Sequence, residues 1–258
     1  MNVCVITRCK FDEYNADRIY LLENTLARCL NAQTYKNFDF YVIAGPNKKM
    51  WSAIEGVLSK TELNYKLVES RHEIMHTNYN LQFRIDSDDF VSPKIIEHAL
   101  NYVSKIKEEK FVIGYQIFKY VTKTGDLYTT RKYTSERQSM TACLYCMQPE
   151  DKDWVYGCSH SDIGRIYKSC VINYGYAVLN LHGGNVDTSE IKSFDKKLET
   201  GLADNIIGYE LIAGIEDNLI GWTSALNLKK AQDLPLSLSR CRGVVARARA
   251  RKNPQNCR

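Results

Sequence analysis

One ten-residue stretch restricts the architecture of this chain more than any other: Leu81-Gln82-Phe83-Arg84-Ile85-Asp86-Ser87-Asp88-Asp89-Phe90. Leu81, Phe83 and Ile85 alternate with Gln82 and Arg84, the period-two pattern of a strand. The run ends abruptly in three carboxylates. Ser92-Pro93 follows, which reads as a helix start with Ser as N-cap and Pro at the first helical position. Acid is therefore concentrated where a strand hands over to a helix. In an open α/β sheet that is where ligands sit. In extended chain, side chains two apart point the same way, so Asp86 and Asp88 are expected to face one ligand together. Two neighbouring carboxylates repel unless a cation or proton lies between them. A hard divalent ion, which takes oxygen ligands and leaves positions for phosphate oxygens, is the simplest occupant.

Three other readings compete. The acids can cap the helix, whose dipole favours negative charge at its start. A calcium loop is the second: Glu97 falls twelfth counting from Asp86, but Val91 stands where the turn glycine belongs and Pro93 starts a helix. A phosphatase-type aspartyl nucleophile also follows a strand as Asp-x-Asp, but Phe90 does not suit that pattern and the motif lies far from the N-terminus.

The strands and helices around this stretch set the fold class. Residues 3–8 form an apolar first strand, too short a span for a signal peptide. Ile19, Leu22, Leu26 and Leu30 recur at helical spacing, which predicts a helix over 17–32. A second strand is expected over 38–44, closed by Gly45-Pro46, then a helix over 48–59 and a third strand over 65–68. After the acidic strand, Ile96, Ala99, Leu100 and Val103 mark one face of a helix. Alternating strands and helices argue for a mostly parallel central sheet flanked by helices on both sides. From residue 110 the pattern turns β-rich: a hairpin over 110–133 around Thr124-Gly125-Asp126, a strand over 140–147, a short helix over 161–169 and a strand over 176–181. The economical division is one domain over 1–239, with a nucleotide-binding half at 1–109 and an acceptor half at 110–239. A basic, disordered tail at 240–258 follows.

Composition narrows the function classes. The chain has 258 residues, 44% hydrophobic and 25% charged, ordinary for a soluble globular protein with a substantial core. No apolar run reaches the roughly 18 residues of a membrane span. The net charge of +5 is local: Arg240, Arg242, Arg247, Arg249, Arg251, Lys252 and Arg258 carry it with no acid among them. Taking those seven from the 35 lysines and arginines leaves 28 against 30 acids, so the body is near neutral and its pI says nothing about nucleic acid; no nucleic-acid partner is expected. The nine cysteines, odd in number and scattered, suit a reducing, cytoplasmic setting. Cys143, Cys146, Cys158 and His160 make a conceivable zinc set, but 143–147 also reads as a strand with ordinary buried cysteines.

Neither the G-x-G-x-x-G dinucleotide fingerprint, nor the phosphate-binding G-x-x-x-x-G-K-[ST] loop, nor a G-x-S-x-G nucleophile elbow is present. If phosphate is bound, a metal and basic side chains must hold it. Arg84-Ile85-Asp86-Ser87-Asp88-Asp89, placed after βαβ units and before Ser92-Pro93, resembles the Asp-x-Asp segment of GT-A-type glycosyltransferases. Together with His182-Gly183-Gly184-Asn185-Val186 it resembles, more narrowly, the rhamnosyltransferase family. It is also similar to glycosyltransferases of large algal viruses that build capsid glycans, which would place the enzyme in a host cytoplasm. The similarity runs from about Val3 to about Val186.

The resemblance implies a GT-A-like, hexosyl-transferring enzyme that moves a sugar, rhamnose or glucose, from a UDP-sugar donor to a glycan or glycoprotein acceptor. It implies Asp88 as the principal ligand of Mn²⁺ or Mg²⁺, Asp86 as a ligand directly or through water, and His182 as a further ligand from the far half. An imidazole ligand favours manganese. Thr7, Arg8, Arg84, Asp86, Ser87 and Asp88 would border the nucleotide; Arg84 can instead pin the acidic loop. Inverting transfer needs a general base on the acceptor hydroxyl. Asp162 is the first candidate and Asp153 the second, although each can equally be a helix cap. Trp154 and Tyr156 can stack on an acceptor sugar or belong to the core. A metal-dependent phosphohydrolase is the alternative enzyme. A sugar- or polyanion-binding module using the tail is the alternative without catalysis; its affinity would be strongly salt-dependent.

Overall fold

The computed structural model describes residues 1–10, 15–121, 126–129, 142–158, 162–181 and 196–197. The first strand, β1 (Val3–Arg8), is buried at every position except Arg8. Such continuous burial is what a parallel strand covered on both faces requires. A helical run follows as three contiguous pieces, α1 (Ala16–Leu22), a π-helical segment (Glu23–Ala27) and α2 (Arg28–Asn31). Asn15 caps it, its side chain accepting from Arg18 N at 3.1 Å. The uniform helix expected here is thus widened in its middle turn. Next come β2 (Asp39–Ile43), α3 (Lys48–Leu58) and β3 (Tyr65–Val68). Asn47 caps α3 through Lys49 N and Met50 N, and Met50, Ile54, Val57 and Leu58 form its buried stripe. Gly45 turns the chain between β2 and α3 at φ 70°, where a Cβ would also meet the Lys10 stem at 2.6 Å.

The acidic strand is β4 (Leu81–Arg84), and here the structure departs from the sequence reading. The chain does not run straight from acids to helix. Asp89 N donates to Asp86 O at 3.2 Å, closing a turn, and a two-residue strand, β5 (Phe90–Val91), comes next. Helix α4 (Ile95–Val103) begins only after it, with Lys94 at its N-cap position. Ser92 is not the cap. Its Oγ accepts from Lys94 N at 3.3 Å in a local turn, and its carbonyl accepts from Gln33 Nε2 at 2.8 Å. Pro93 O is likewise taken by Thr34 N. These tethers to the end of α2 hold the Ser92-Pro93 backbone and postpone the helix.

The second half contributes β6 (Lys110–Val121), β7 (Asp126–Thr129), β8 (Ala142–Cys146), α5 (Ile163–Ile166), β9 (Ser169–Leu181) and β10 (Lys196–Lys197). The antiparallel β6–β7 pairing, Val121 against Asp126, is the expected hairpin. One sheet runs through both halves in the order β10-β7-β6-β8-β4-β1-β2-β3. Strands β3, β2, β1 and β4 are parallel, and β8 joins β4 antiparallel. Strand β9 runs parallel to β6 and antiparallel to β5. This is the α/β arrangement, a parallel sheet flanked by helices with a β-rich second half, that resemblance to GT-A-type enzymes implies.

The two faces of the sheet are covered differently. One carries Val5, Phe40, Val42 and Phe83 under the helices α1 to α4. On the other, Ile6, Tyr41, Ile43 and Leu144 pack against Trp154, Val155, Tyr156 and α5's Ile163. No helix among the described residues is long and apolar enough to cross a membrane.

Candidate active site

From β1 the chain moves outward through β2 to β3, and then returns to place β4 on the other side of β1. The β1–β4 boundary is therefore the switch point of the parallel sheet, and the crevice beyond the carboxyl ends of those strands is where such folds bind ligands. Register fixes what meets there. Ile6 lies beside Arg84, and Ile85 N donates to Ile6 O at 3.1 Å. Thr7 and Arg8 close β1 as the turn from Asp86 to Asp89 leaves β4.

Strand alternation sends the side chains at this point to opposite faces of the sheet. On the helix side, Asp88 accepts from Arg18 Nη1 at 2.5 Å, and both side chains are nearly buried, 12% and 11% exposed. Cys9 belongs to the same group: burial pushes its thiol up to about 11, a hydrogen bond with Ser87 and the Arg18 charge lower it, and Asp88 raises it. Thr25, in the π-helical segment, has its Oγ1 at 2.7 Å from Leu21 O and 3.0 Å from Ser87 O, so the helix holds the acidic turn by its backbone. Widened turns of this kind recur at functional sites. Thr7 is fully buried, and its Oγ1 has no hydrogen-bond partner among the described residues.

On the other side lies Tyr156, with its hydroxyl directed at Ile6 O at 3.4 Å. The Arg84 guanidinium sits 4.3 Å from the centre of its ring and donates through Nη1 to Cys158 O at 3.1 Å. Arg71 Nη1 donates to Tyr156 O at 2.7 Å. Burial raises the Tyr156 phenol above its ordinary pKa; Arg84 and Arg8 oppose this, and Asp86 adds to it. The charges of Arg8, Arg84 and Asp86 thus all act on one buried phenol, and Arg84 lies against its ring. Arg84 Nε is buried without a hydrogen-bond partner among the described residues.

The expected picture is corrected in one respect. Asp86 and Asp88 lie on a turn, closed by Asp89 N donating to Asp86 O, and not on extended chain. Arg18 pairs with Asp88, and the Asp86 charge acts on the Tyr156 phenol. A carboxylate pair on a turn still suits a hard cation. Among the described residues no three His, Cys, Asp or Glu side chains are grouped to hold a metal. Mg²⁺ and similar ions are commonly held by one or two carboxylates, with water and substrate phosphate completing the shell. The donor set fits on those terms, with Arg18 as a cation already on Asp88.

Asp162 stands at the N-cap position of α5 but makes no capping hydrogen bond. It is half-exposed, Oδ1 accepting from Arg165 Nη1 at 2.8 Å. Burial raises the Cys158 thiol, Arg84 lowers it and Asp162 raises it, which puts Asp162 within electrostatic reach of the Arg84 group. Asp153 is not a base candidate. It is 1% exposed, ion-paired to Lys110 at 2.7 Å, and its backbone is bonded to Gln82, at the opposite end of β4 from the acids. Trp154 is core, its ring 4.6 Å from that of His76. Cys143 and Cys146 point to opposite faces of the sheet, each in a different core cluster, so they cannot share a zinc ion. His160, His182 to Val186 and the basic tail lie outside the described residues.

Arg18, Cys9 and Thr25 escaped the sequence reading. Arg18 carries no local signal, because its partner is 70 residues away. Cys9 adjoins the Thr7-Arg8 pair, and its place in the strand alternation was signal enough to put it beside Thr7.

A sequence profile described as "Putative rhamnosyl transferase" matches residues 11–193. No curated protein matches the sequence. Among solved structures, S. aureus TarS 1-349 in complex with UDP-GlcNAc aligns at 12% identity with a TM-score of 0.44, over 75% of this chain and 62% of that one. The TarS 1-349 complex with UDP aligns at 18% identity and a TM-score of 0.35, over 46% and 36%. Apo mouse xyloside xylosyltransferase 1 aligns at 9% identity and a TM-score of 0.38, over 60% and 71%. This chain thus spans less than two thirds of the TarS chains it matches.

Proposed function

The chain belongs to the rhamnosyl transferase family, and from that premise we propose that it is a metal-dependent glycosyltransferase. It takes a sugar, rhamnose or glucose, from a UDP-sugar and passes it to a hydroxyl of a glycan or glycoprotein. The observation that carries this is the acidic turn at the switch point, with Thr7, Arg8 and Arg84 around it.

In this reading the uridine diphosphate lies across the ends of β1 and β4. Arg8 and Arg84 supply positive charge toward the diphosphate, and Asp86 faces the ribose. Asp88 holds Mn²⁺ or Mg²⁺ with Asp86, and His182 completes the site. The register of β9 supports His182: Val178 pairs with Phe90 and Ala177 with Val91, so beyond Val178 the strand heads toward the residues preceding Phe90. When bound, the ion neutralises charge growing on the leaving diphosphate as a Lewis acid. For inverting transfer, Asp162 takes the proton of the acceptor hydroxyl as that oxygen bonds to the anomeric carbon and the carbon–diphosphate bond breaks. Its position near Cys158, whose carbonyl Arg84 holds, favours it over Asp153, which is buried against Lys110.

The test is a nucleotide-binding titration followed by a donor screen. UDP should bind more tightly with Mn²⁺ than with EDTA, and at least one UDP-sugar should be hydrolysed slowly in a metal-dependent way. Equal UDP affinity in both conditions, with no sugar nucleotide turned over, would overturn the reading.

A further inference from the structure

The Arg18–Asp88 pair is out of place for a site that must take a divalent cation. A surface ion pair would yield to metal at little cost. This one is almost buried, its N–O distance is 2.5 Å, and it joins α1 to the acidic turn across 70 residues. Around it, Thr25 and Cys9 hold Ser87 in place. A metal arriving alone would have to displace a guanidinium from a carboxylate that has little water to fall back on.

We propose that Arg18 is an internal counter-ion that competes with the divalent cation for Asp88 and so makes metal binding depend on the donor. This rests on the metal site proposed above. Without donor, Arg18 neutralises Asp88 and metal affinity is low. A donor brings a diphosphate, to which a guanidinium is well matched as a bidentate partner. Arg18 moves from Asp88 to the diphosphate, and the freed carboxylate accepts the metal. Each ligand then strengthens the other, and by linkage the enhancement is mutual. The device limits futile metal loading and ties the charge of the site to the presence of substrate.

The experiment is a Mn²⁺ titration followed by electron paramagnetic resonance, on the full chain, with and without UDP. Wild type, Arg18→Gln, Arg18→Lys and Asp88→Asn are compared, and circular dichroism checks folding. Donor-free Mn²⁺ affinity should rise by about tenfold or more in Arg18→Gln, and the gain on adding UDP should shrink. Arg18→Lys, which keeps a cation but loses the planar fork, should fall between. It also keeps the test open if Arg18→Gln does not fold. In that case, donor-free affinity in Arg18→Lys above wild type supports the proposal, and affinity equal to or below wild type overturns it. If Asp88→Asn loses Mn²⁺ while Arg18→Gln binds it as wild type does, the Arg18 proposal alone fails. If Asp88→Asn binds Mn²⁺ like wild type, the metal site itself is misplaced and both fall.

Discussion

Two carboxylates mark the two ends of β4, and both are buried against a cation. Near the start of the strand, Asp153 pairs with Lys110 at 2.7 Å. It also accepts from Glu150 N at 3.0 Å and from the Tyr167 hydroxyl at 3.4 Å. Beyond its end, Asp88 pairs with Arg18 at 2.5 Å. A buried cysteine sits beside each pair. Cys146, by Asp153, is pushed up to about 12, first by burial and then by the Asp153 charge. Cys9, by Asp88, reaches about 11, again mainly by burial. By burial and charge the two sites are near twins. They differ in strand direction: Asp153 lies where parallel strands begin, and Asp88 where they end at the switch point. A buried charge pair is therefore a poor marker of function on its own. Its position relative to strand polarity separates a clamp from a candidate site.

The sharpest way to break this comparison is to remove one charge from each pair. Asp88→Asn keeps shape and loses the charge a cation needs, so sugar transfer should fall by roughly 10²–10³-fold with the fold intact by circular dichroism. Asp153→Asn should do the reverse. Its denaturation midpoint should drop, because Lys110 and the Tyr167 hydroxyl lose a charged acceptor. Turnover per folded molecule should match wild type. Loss of turnover in Asp153→Asn at an unchanged midpoint would abolish the distinction between the two ends.

Alkaline pH probes both pairs at once. An ordinary cysteine thiol ionises near 9.0, and folded Cys9 near 11. Between those values the unfolded chain has released a proton that the folded chain retains. The stability this thiol contributes is complete below pH 9 and lost as pH rises toward 11, on the order of 2–3 kcal/mol. Cys146 extends the loss toward 12. Urea midpoints followed from neutral pH upward should fall less steeply in Cys9→Ala and in Cys146→Ala than in wild type. Curves parallel to wild type in either variant would show that its thiol ionises as freely in the folded chain as in the unfolded one.

The same contrast explains what the sequence could reveal. The parallel half was legible because each strand is a local apolar run and each helix a local periodic stripe; β1, β2, α3 and β3 fall where those patterns put them. The acids at the end of β4 were legible for the same reason. Features made by distant pairing were not. Phe90 and Val91 follow three carboxylates and read as a lead into a helix, yet they are a strand because Val178 and Ala177 lie opposite them. Ser92-Pro93 has every local mark of a helix start, but Gln33 and Thr34 hold those two carbonyls. Arg18 looks like any surface arginine in a first helical turn until the fold brings Asp88 to it. The turn from Asp86 to Asp89 was invisible for the same reason.

The smallest expected effect tests how the acidic turn is held. Thr25 lies in the π-helical segment, and its Oγ1 is within hydrogen-bond distance of both Leu21 O and Ser87 O. One hydroxyl proton serves two carbonyls, and only the Ser87 contact links the helix to the turn. Thr25→Val preserves the shape and removes the donor. It should lower stability by about 1 kcal/mol, the net value of a buried neutral hydrogen bond, through loss of the bond alone, since no cavity forms. If the tether also sets where Asp88 points, donor affinity should weaken a few-fold. Thr25→Ser, which keeps the hydroxyl but opens a methyl-sized void, should do the opposite: similar stability loss from the void, with donor affinity retained. Equal donor affinity in Thr25→Val and Thr25→Ser would reduce the contact to packing. The acidic turn would then owe its position to Arg18 and to the β5–β9 pairing.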